Sequence, residues 1–155
     1  MASTAFTNGL EALMDNTFDY TSVIKSMLEK TTYAEDPDQE FVDVAGTTVD
    51  LAAHECDATG YTGGFAGADR LTATLVTTEQ TANNRVVVIA TDQTWTAIGG
   101  AVNNTIEGVA WIREITNDAA SIPIVYLTFT STLTTNGSDI LVDYDGVDGN
   151  LRFTV

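Results

Sequence analysis

A chain of 155 residues with 44% hydrophobic content is long enough for one domain with a real core and too apolar for a disordered tail. Its 22 acidic against 6 basic residues give a formal charge of −16, which excludes partners that need phosphate neutralised, nucleic acid and anionic membrane alike. The lone Cys56 excludes an intrachain disulfide framework. The sequence carries no basic-then-apolar leader pattern and no run of about eighteen apolar residues, which predicts a soluble protein outside the general export route.

From Ser3 or Thr4 as cap, the stretch AFTNGLEALMD puts Phe6, Leu10, Leu13 and Met14 on one face. It predicts a short helix, weakened by Gly9, within an N-terminal helical arm over residues 1–16. Next, Val23, Lys25 and Met27 alternate with Ser22, Ile24, Ser26 and Leu28, the signature of a strand. SVIKSMLEK also fits a helical turn. The acidic AEDPDQEF that follows has no periodicity and reads as a loop.

The remainder reads as strand almost throughout. Segments rich in threonine and valine predict strands over Val42–Val44, Thr47–Ala52, Arg70–Thr77, Arg85–Ala90, Ile106–Ile115, Ile122–Thr130, Asp139–Tyr144 and Leu151–Val155. TANN, AIGGAVNN, TNDAAS, TTNGS and DGVDGN punctuate them as turns. Short strands at this spacing predict a single domain over residues 1–155: a mainly β, antiparallel β-sandwich, jelly-roll-like, with a short N-terminal α-helix.

The glycine-rich stretch DATGYTGGFAGAD, residues 57–69, invites comparison with a phosphate-binding loop. That chemistry needs a lysine after the last glycine and a helix N-terminus behind it. Here a Thr-rich strand pattern follows, no lysine is present, and Arg70 is the nearby cation. A dinucleotide fingerprint fails because the glycines do not join a strand to a helix. The stretch reads as an exposed, irregular corner whose glycines supply positive φ and allow close approach by a neighbouring subunit.

The catalytic inventory is thin. His54 is the single histidine, and in HEC it stands two residues from Cys56 with Glu55 between. On a strand these two would share a face and offer two ligands, two short of a structural zinc site. A strand-edge histidine beside a small buried thiol is the simpler reading. Glu35, Asp36, Asp38 and Glu40 form one acidic cluster; Asp143, Asp145, Asp148 and Asn150 form another. The second differs from a calcium-binding EF-hand at its fifth position, Val147, and has strand-like flanks, so a β-turn explains it. Trp95 and Trp111 sit among Thr, Ala and Ile and read as core or interface anchors rather than a sugar platform. The residues thus predict no catalytic group, no cofactor and no metal.

The order of features resembles a family of small tailed-bacteriophage virion structural proteins of the head decoration or cement type. The resemblance runs over roughly residues 8–155 through VIKSMLEKTTYAEDPDQEF, DATGYTGG, ATDQTW, TIEGVAWI, IPIVYLTF, TNGSD and GNLRFT. Each piece is short, and their shared order carries the likeness. HEC and the Gly-rich TWTAIGGAVNN depart from the pattern. The resemblance implies a non-enzymatic protein on the capsid exterior, assembled in the host cytoplasm, binding the major capsid protein. It also implies self-association, as a trimer rather than a dimer. A neck, tail or fibre-base component is the alternative within the virion. A carbohydrate- or ligand-binding sandwich using Trp95 or Trp111 is the alternative outside it. Phe6, Leu10, Leu13, Phe65 and Trp95 are the expected interface residues. Arg70, Arg85, Arg113 and Arg152 are expected to pair within a subunit or with carboxylates across the interface.

Overall fold

The computed structural model describes residues 2–14, 23–45, 50–144 and 151–154. In chain order the elements are β1 (Ala2–Ala5), α1 (Thr7–Met14), β2 (Ile24–Lys30), α2 (Leu51–His54), β3 (Leu71–Ala73), β4 (Leu75–Gln80), β5 (Arg85–Ala90), β6 (Gln93–Ile98), β7 (Thr105–Arg113), β8 (Ile122–Thr134), β9 (Ser138–Val142) and β10 (Leu151–Thr154). They form a five-stranded sheet of order β1-β8-β7-β2-β3, a three-stranded sheet β10-β5-β4 and a two-stranded sheet β6-β9. Every strand pairing is antiparallel. The protein is mainly β with a short N-terminal helix, as alternation and turn punctuation predict.

Runs such as VAWI in β7 and IVYL in β8 have no polar face, so the large sheet must be covered on both sides. One side packs against the two smaller sheets: Ile24, Leu28, Val109, Trp111 and Leu127 meet Val88, Trp95, Ile98 and Ile140 in a shared, sandwich-like core. On the other side Met27, Ala110, Ile112 and Tyr126 pack with Phe6, Tyr33, Val42 and Leu51. The helix sits close against β8. A Cβ on Gly9 would lie 2.6 Å from the Pro123 carbonyl oxygen, so the residue that weakens the helix is what lets it dock.

Five local expectations change. The helix starts at Thr7 rather than behind Ser3 or Thr4, because residues 2–5 instead pair with Val125–Thr128 along the edge of β8. Val42–Val44 is irregular, and the end of the expected Thr47–Ala52 strand is the short helix α2; Thr47–Val49 lie outside the described residues. Asp50 dictates that helix, its side chain accepting hydrogen bonds from Ala53 N (3.0 Å) and Val44 N (3.0 Å). The Arg70–Thr77 strand breaks at Thr74 into β3 and β4. Finally, β6 is absent from the strands expected from alternation, and its last two residues, Ala97 and Ile98, fall in the expected turn AIGGAVNN. Ala97 takes a φ of 55°, and the register with β9 shifts between Trp95 and Ile98, so the buried residues fall three apart and the period of two is lost.

Glu29 is the anomaly of the large sheet. Its side chain follows Met27 on the covered face, is 0% exposed, and has no hydrogen-bond partner for either carboxylate oxygen among the described residues. Burial, and then the charge of Glu55, push its pKa well above the usual 4.5, while Arg70 and Lys30 pull the other way more weakly. A carboxyl whose folded-state pKa is raised holds its proton more tightly in the fold. That contribution is complete below about pH 4.5 and is lost as pH rises through the folded-state value. Glu29→Gln stays neutral, so it should exceed the wild type in stability above about pH 5, by about 1–3 kcal/mol near neutrality, and converge with it near pH 4. Urea denaturation across that range checks this; parallel pH profiles would refute it.

Candidate functional site

A guanidinium removed from water needs an acceptor for each of its five N–H donors. Arg70, at the mouth of β3, is fully buried, and all five are engaged. Nε and Nη2 grip Glu55 bidentately at 2.9 and 2.7 Å. Nη1 and Nη2 grip Asp118 in a second fork at 2.5 and 3.0 Å. Nη1 also reaches Glu114 at 3.1 Å. Burial opposes the charge on Arg70, but the hydrogen bonds it donates to Glu55 and Asp118 outweigh it and raise its pKa.

The same carboxylates hold the glycine-rich loop. Glu55 accepts from Gly64 N (2.8 Å) and from the Tyr61 hydroxyl (2.9 Å), and Glu114 accepts from Ala66 N (3.1 Å). Asp69 closes the loop on itself, accepting from Thr62 N at 2.7 Å, while its carbonyl receives Trp95 Nε1 at 2.6 Å. A Cβ on Gly63 would lie 2.7 Å from Glu55 Cδ, so that glycine is required by close approach to the clamp itself. The loop is irregular, as expected. Its inner side is bound to buried charge within the subunit.

An open cleft of about 350 Å3 lies above the clamp, bordered by Lys30, Glu55, Asp57, Tyr61, Gly64 and Asp118. Glu55 already accepts four hydrogen bonds and Arg70 has no donor left for a phosphate. Burial, and then the charge of Glu55, raise the Tyr61 pKa well above its usual value, which keeps the phenol a donor. The arrangement is built to hold a loop.

The other residues singled out by sequence fall elsewhere. His54 ends α2 rather than lying on a strand; its Nδ1 meets Thr32 Oγ1 at 2.8 Å. Cys56 turns away to Asn104 Oδ1 at 3.3 Å, and burial pushes its thiol up to about 11. The HEC triplet therefore divides among three separate surroundings, and only Glu55 joins the clamp. The acidic loop of Glu35, Asp36, Asp38 and Glu40 docks at the start of α1. Thr7 Oγ1 donates to Asp38 Oδ1 (2.9 Å), and Asn8 Nδ2 donates to the Glu40 carbonyl (2.6 Å). No group of three or more His, Cys, Asp or Glu among the described residues could hold a metal ion. Asp145, Asp148 and Asn150 lie outside the described residues; Asp143 is exposed.

Trp95 and Trp111 are 0% and 1% exposed, so both are core anchors and neither offers a ring to a sugar. Phe6 is equally buried. Those two corrections remove Phe6 and Trp95 from the expected interface set, because the core claims both. Phe65 remains exposed, Leu10 is half-buried, and the side chain of Leu13 lies outside the described residues. Among the other arginines, Arg85 donates to Gln80 Oε1 at 2.6 Å. Sequence reading named Arg70 as the loop's neighbouring cation but missed the clamp. The available signal was a lone arginine flanked by glycines and acids; Glu114 and Asp118 are separated from it by 44 and 48 residues.

No protein-family model, no curated protein and no solved structure matches the chain. No helix among the described residues is long and apolar enough to cross a membrane.

Replacing Arg70 by methionine leaves three partly or wholly buried carboxylates without their cation, and should destabilise the protein by about 3–5 kcal/mol. Gly63→Ala must displace Glu55 and should cost about 1–3 kcal/mol, more than Gly64→Ala. A Cβ on Gly64 meets open space and suffers only the strain of its φ of +77°, about 1–2 kcal/mol. Chemical denaturation of the three variants tests the ranking, and a Gly64→Ala loss exceeding that of Gly63→Ala would contradict the clamp's role.

Proposed function

We propose that this protein is a non-enzymatic structural component of a tailed-phage virion, a decoration or cement protein bound to the outside of the major capsid protein shell. The observation that carries the reading is the ordered run of short motifs along residues 8–155. The described parts of that run lie in antiparallel strands and the loops between them, and the formal charge of −16 keeps such a protein off the packaged nucleic acid. The Arg70 clamp is consistent with this role: it fixes an irregular loop without a disulfide, as suits a protein assembled in the reducing host cytoplasm. The resemblance favours a homo-oligomer, a trimer rather than a dimer. Phe65, Val23 and Ile115 are exposed apolar side chains available for such contacts.

A neck, tail or fibre-base position is the second reading, since the resembling family includes genes from both regions. Quantitative mass spectrometry of purified particles separates the two. A decoration protein is present in numbers comparable with the capsid protein, and a neck component in few copies. Absence from the particle would end both readings.

The charge sets the expected behaviour of the isolated chain. Repulsion between like-charged copies fades as salt shortens the Debye length, while apolar burial contributes about 25 cal/mol per Å2 throughout. Self-association should therefore tighten from about 20 mM to about 1 M NaCl in sedimentation experiments. Steady weakening over that range would mean that attraction between opposite charges holds the oligomer, against this account.

A further inference from the structure

The two-stranded sheet β6-β9 is incomplete in a way that points to a partner. Although the ribbon packs on the core through Trp95, Ile98 and Ile140, β9 pairs with β6 along one edge while no described strand pairs with the other. Facing that region, β8 leaves its ladders. Thr128 pairs with Gly108 and Leu133 with Ile106, so Phe129–Thr132 bulge out opposite the single residue Glu107, and β1 pairs no further than Thr128. The bulge and β9 are the walls of an open groove of about 280 Å3. Phe129, Leu133, Ile140 and Leu141 line it, with Asp143 at one end and neither lysine nor arginine in its wall. Leu141 is 65% exposed and Leu133 38%, and with Phe129 and Ile140 they make the groove wall a contiguous apolar surface.

We propose that this groove docks an extended, lysine- or arginine-bearing segment of another protein, added as a third strand beside β9. Three observations select that occupant. A strand edge that no described strand pairs presents backbone donors and acceptors that an extended chain satisfies. The apolar walls take every second side chain of such a segment. Charge chooses its sign: Asp143 is the one charged residue in the wall, Arg70 is locked inside its clamp, and the chain bears −16. A second copy would bring another −16 to the contact, whereas a basic segment is drawn to it. The inference does not rest on the virion reading, because it follows from the groove and the charge.

The probe is a short fluorescein-labelled synthetic peptide of alternating valine and lysine, followed by anisotropy, with a valine–glutamate peptide as control. The lysine peptide should bind, and the glutamate peptide should bind at least about tenfold more weakly. Raising NaCl from about 20 mM to about 500 mM should weaken the lysine peptide by a similar factor. Leu141→Ser and Leu133→Ser change exposed side chains, so the fold survives, and each should reduce affinity several-fold. Hydrogen exchange should show Ile140–Val142 amides protected when the peptide is bound. Binding that is indifferent to both serine variants, or that leaves those amides unprotected, overturns the proposal, as does failure of the lysine peptide to bind. A wild-type dimer in sedimentation that is lost in Leu141→Ser also overturns it, because the occupant is then a second copy.

Discussion

Five donors on one buried guanidinium constrain this structure more than any other feature. Arg70 must find acceptors in five directions at once, and it finds them on segments that are otherwise irregular: Glu55 after α2, Glu114 after β7 and Asp118 in the turn before β8. Those carboxylates in turn receive the backbone of the glycine-rich loop at Gly64 and Ala66. One cation thus fixes how the connections at this end of the large sheet meet. The geometry is specific because a planar fork donates to two bidentate carboxylates only in defined orientations. Its internal position also shields it from salt, unlike the exposed Lys30–Asp57 pair at 3.2 Å, which contributes little.

The clamp leaves a surplus of negative charge, three carboxylates against one arginine, and Glu29 lies close enough to feel both signs. Its carboxyl has no hydrogen-bond partner among the described residues, and burial together with the charge of Glu55 favours its protonated form, which couples the covered face of the sheet to the clamp. Around it the packing is aromatic. Tyr33 and Tyr126 meet edge to face at 5.1 Å, and the Tyr126 hydroxyl reaches Glu107 at 3.3 Å. On the opposite face, Trp111 Nε1 donates to Tyr144, whose hydroxyl donates to Gln93, so the core aromatics keep their polar atoms satisfied.

For function, the consequence is a division of labour between inside and outside. The groups that chemistry ordinarily uses, the arginine, the carboxylate of Glu55 and the cysteine, are consumed by internal bonds. What reaches the surface is dense negative charge with a few exposed apolar side chains. The proposed virion role and the proposed docking groove both draw on that surface, and they do so through different residues.

Sequence by itself determined what depends on near neighbours. Alternation and turn chemistry located β5 at Arg85–Ala90, placed β7 and β8 within a few residues, and gave the antiparallel β class. Asn84 in the left-handed region and Gly137 at φ 90° fall in turns that TANN and TTNGS announced. The helix was legible through Phe6 and Leu10 even though its start was not. Tertiary structure alone decided β1, a strand only because β8 offers an edge. It decided that both tryptophans are core anchors and not interface anchors, whereas α2 rests on a local signal, the Asp50 cap on Ala53, that the strand reading of Thr47–Ala52 overlooked. It also decided the site: Glu55, Glu114 and Asp118 lie 15, 44 and 48 residues from Arg70. Periodicity is a local property that a short window of sequence contains. The partners of a buried charge are chosen by chain closure over tens of residues, and no window contains them.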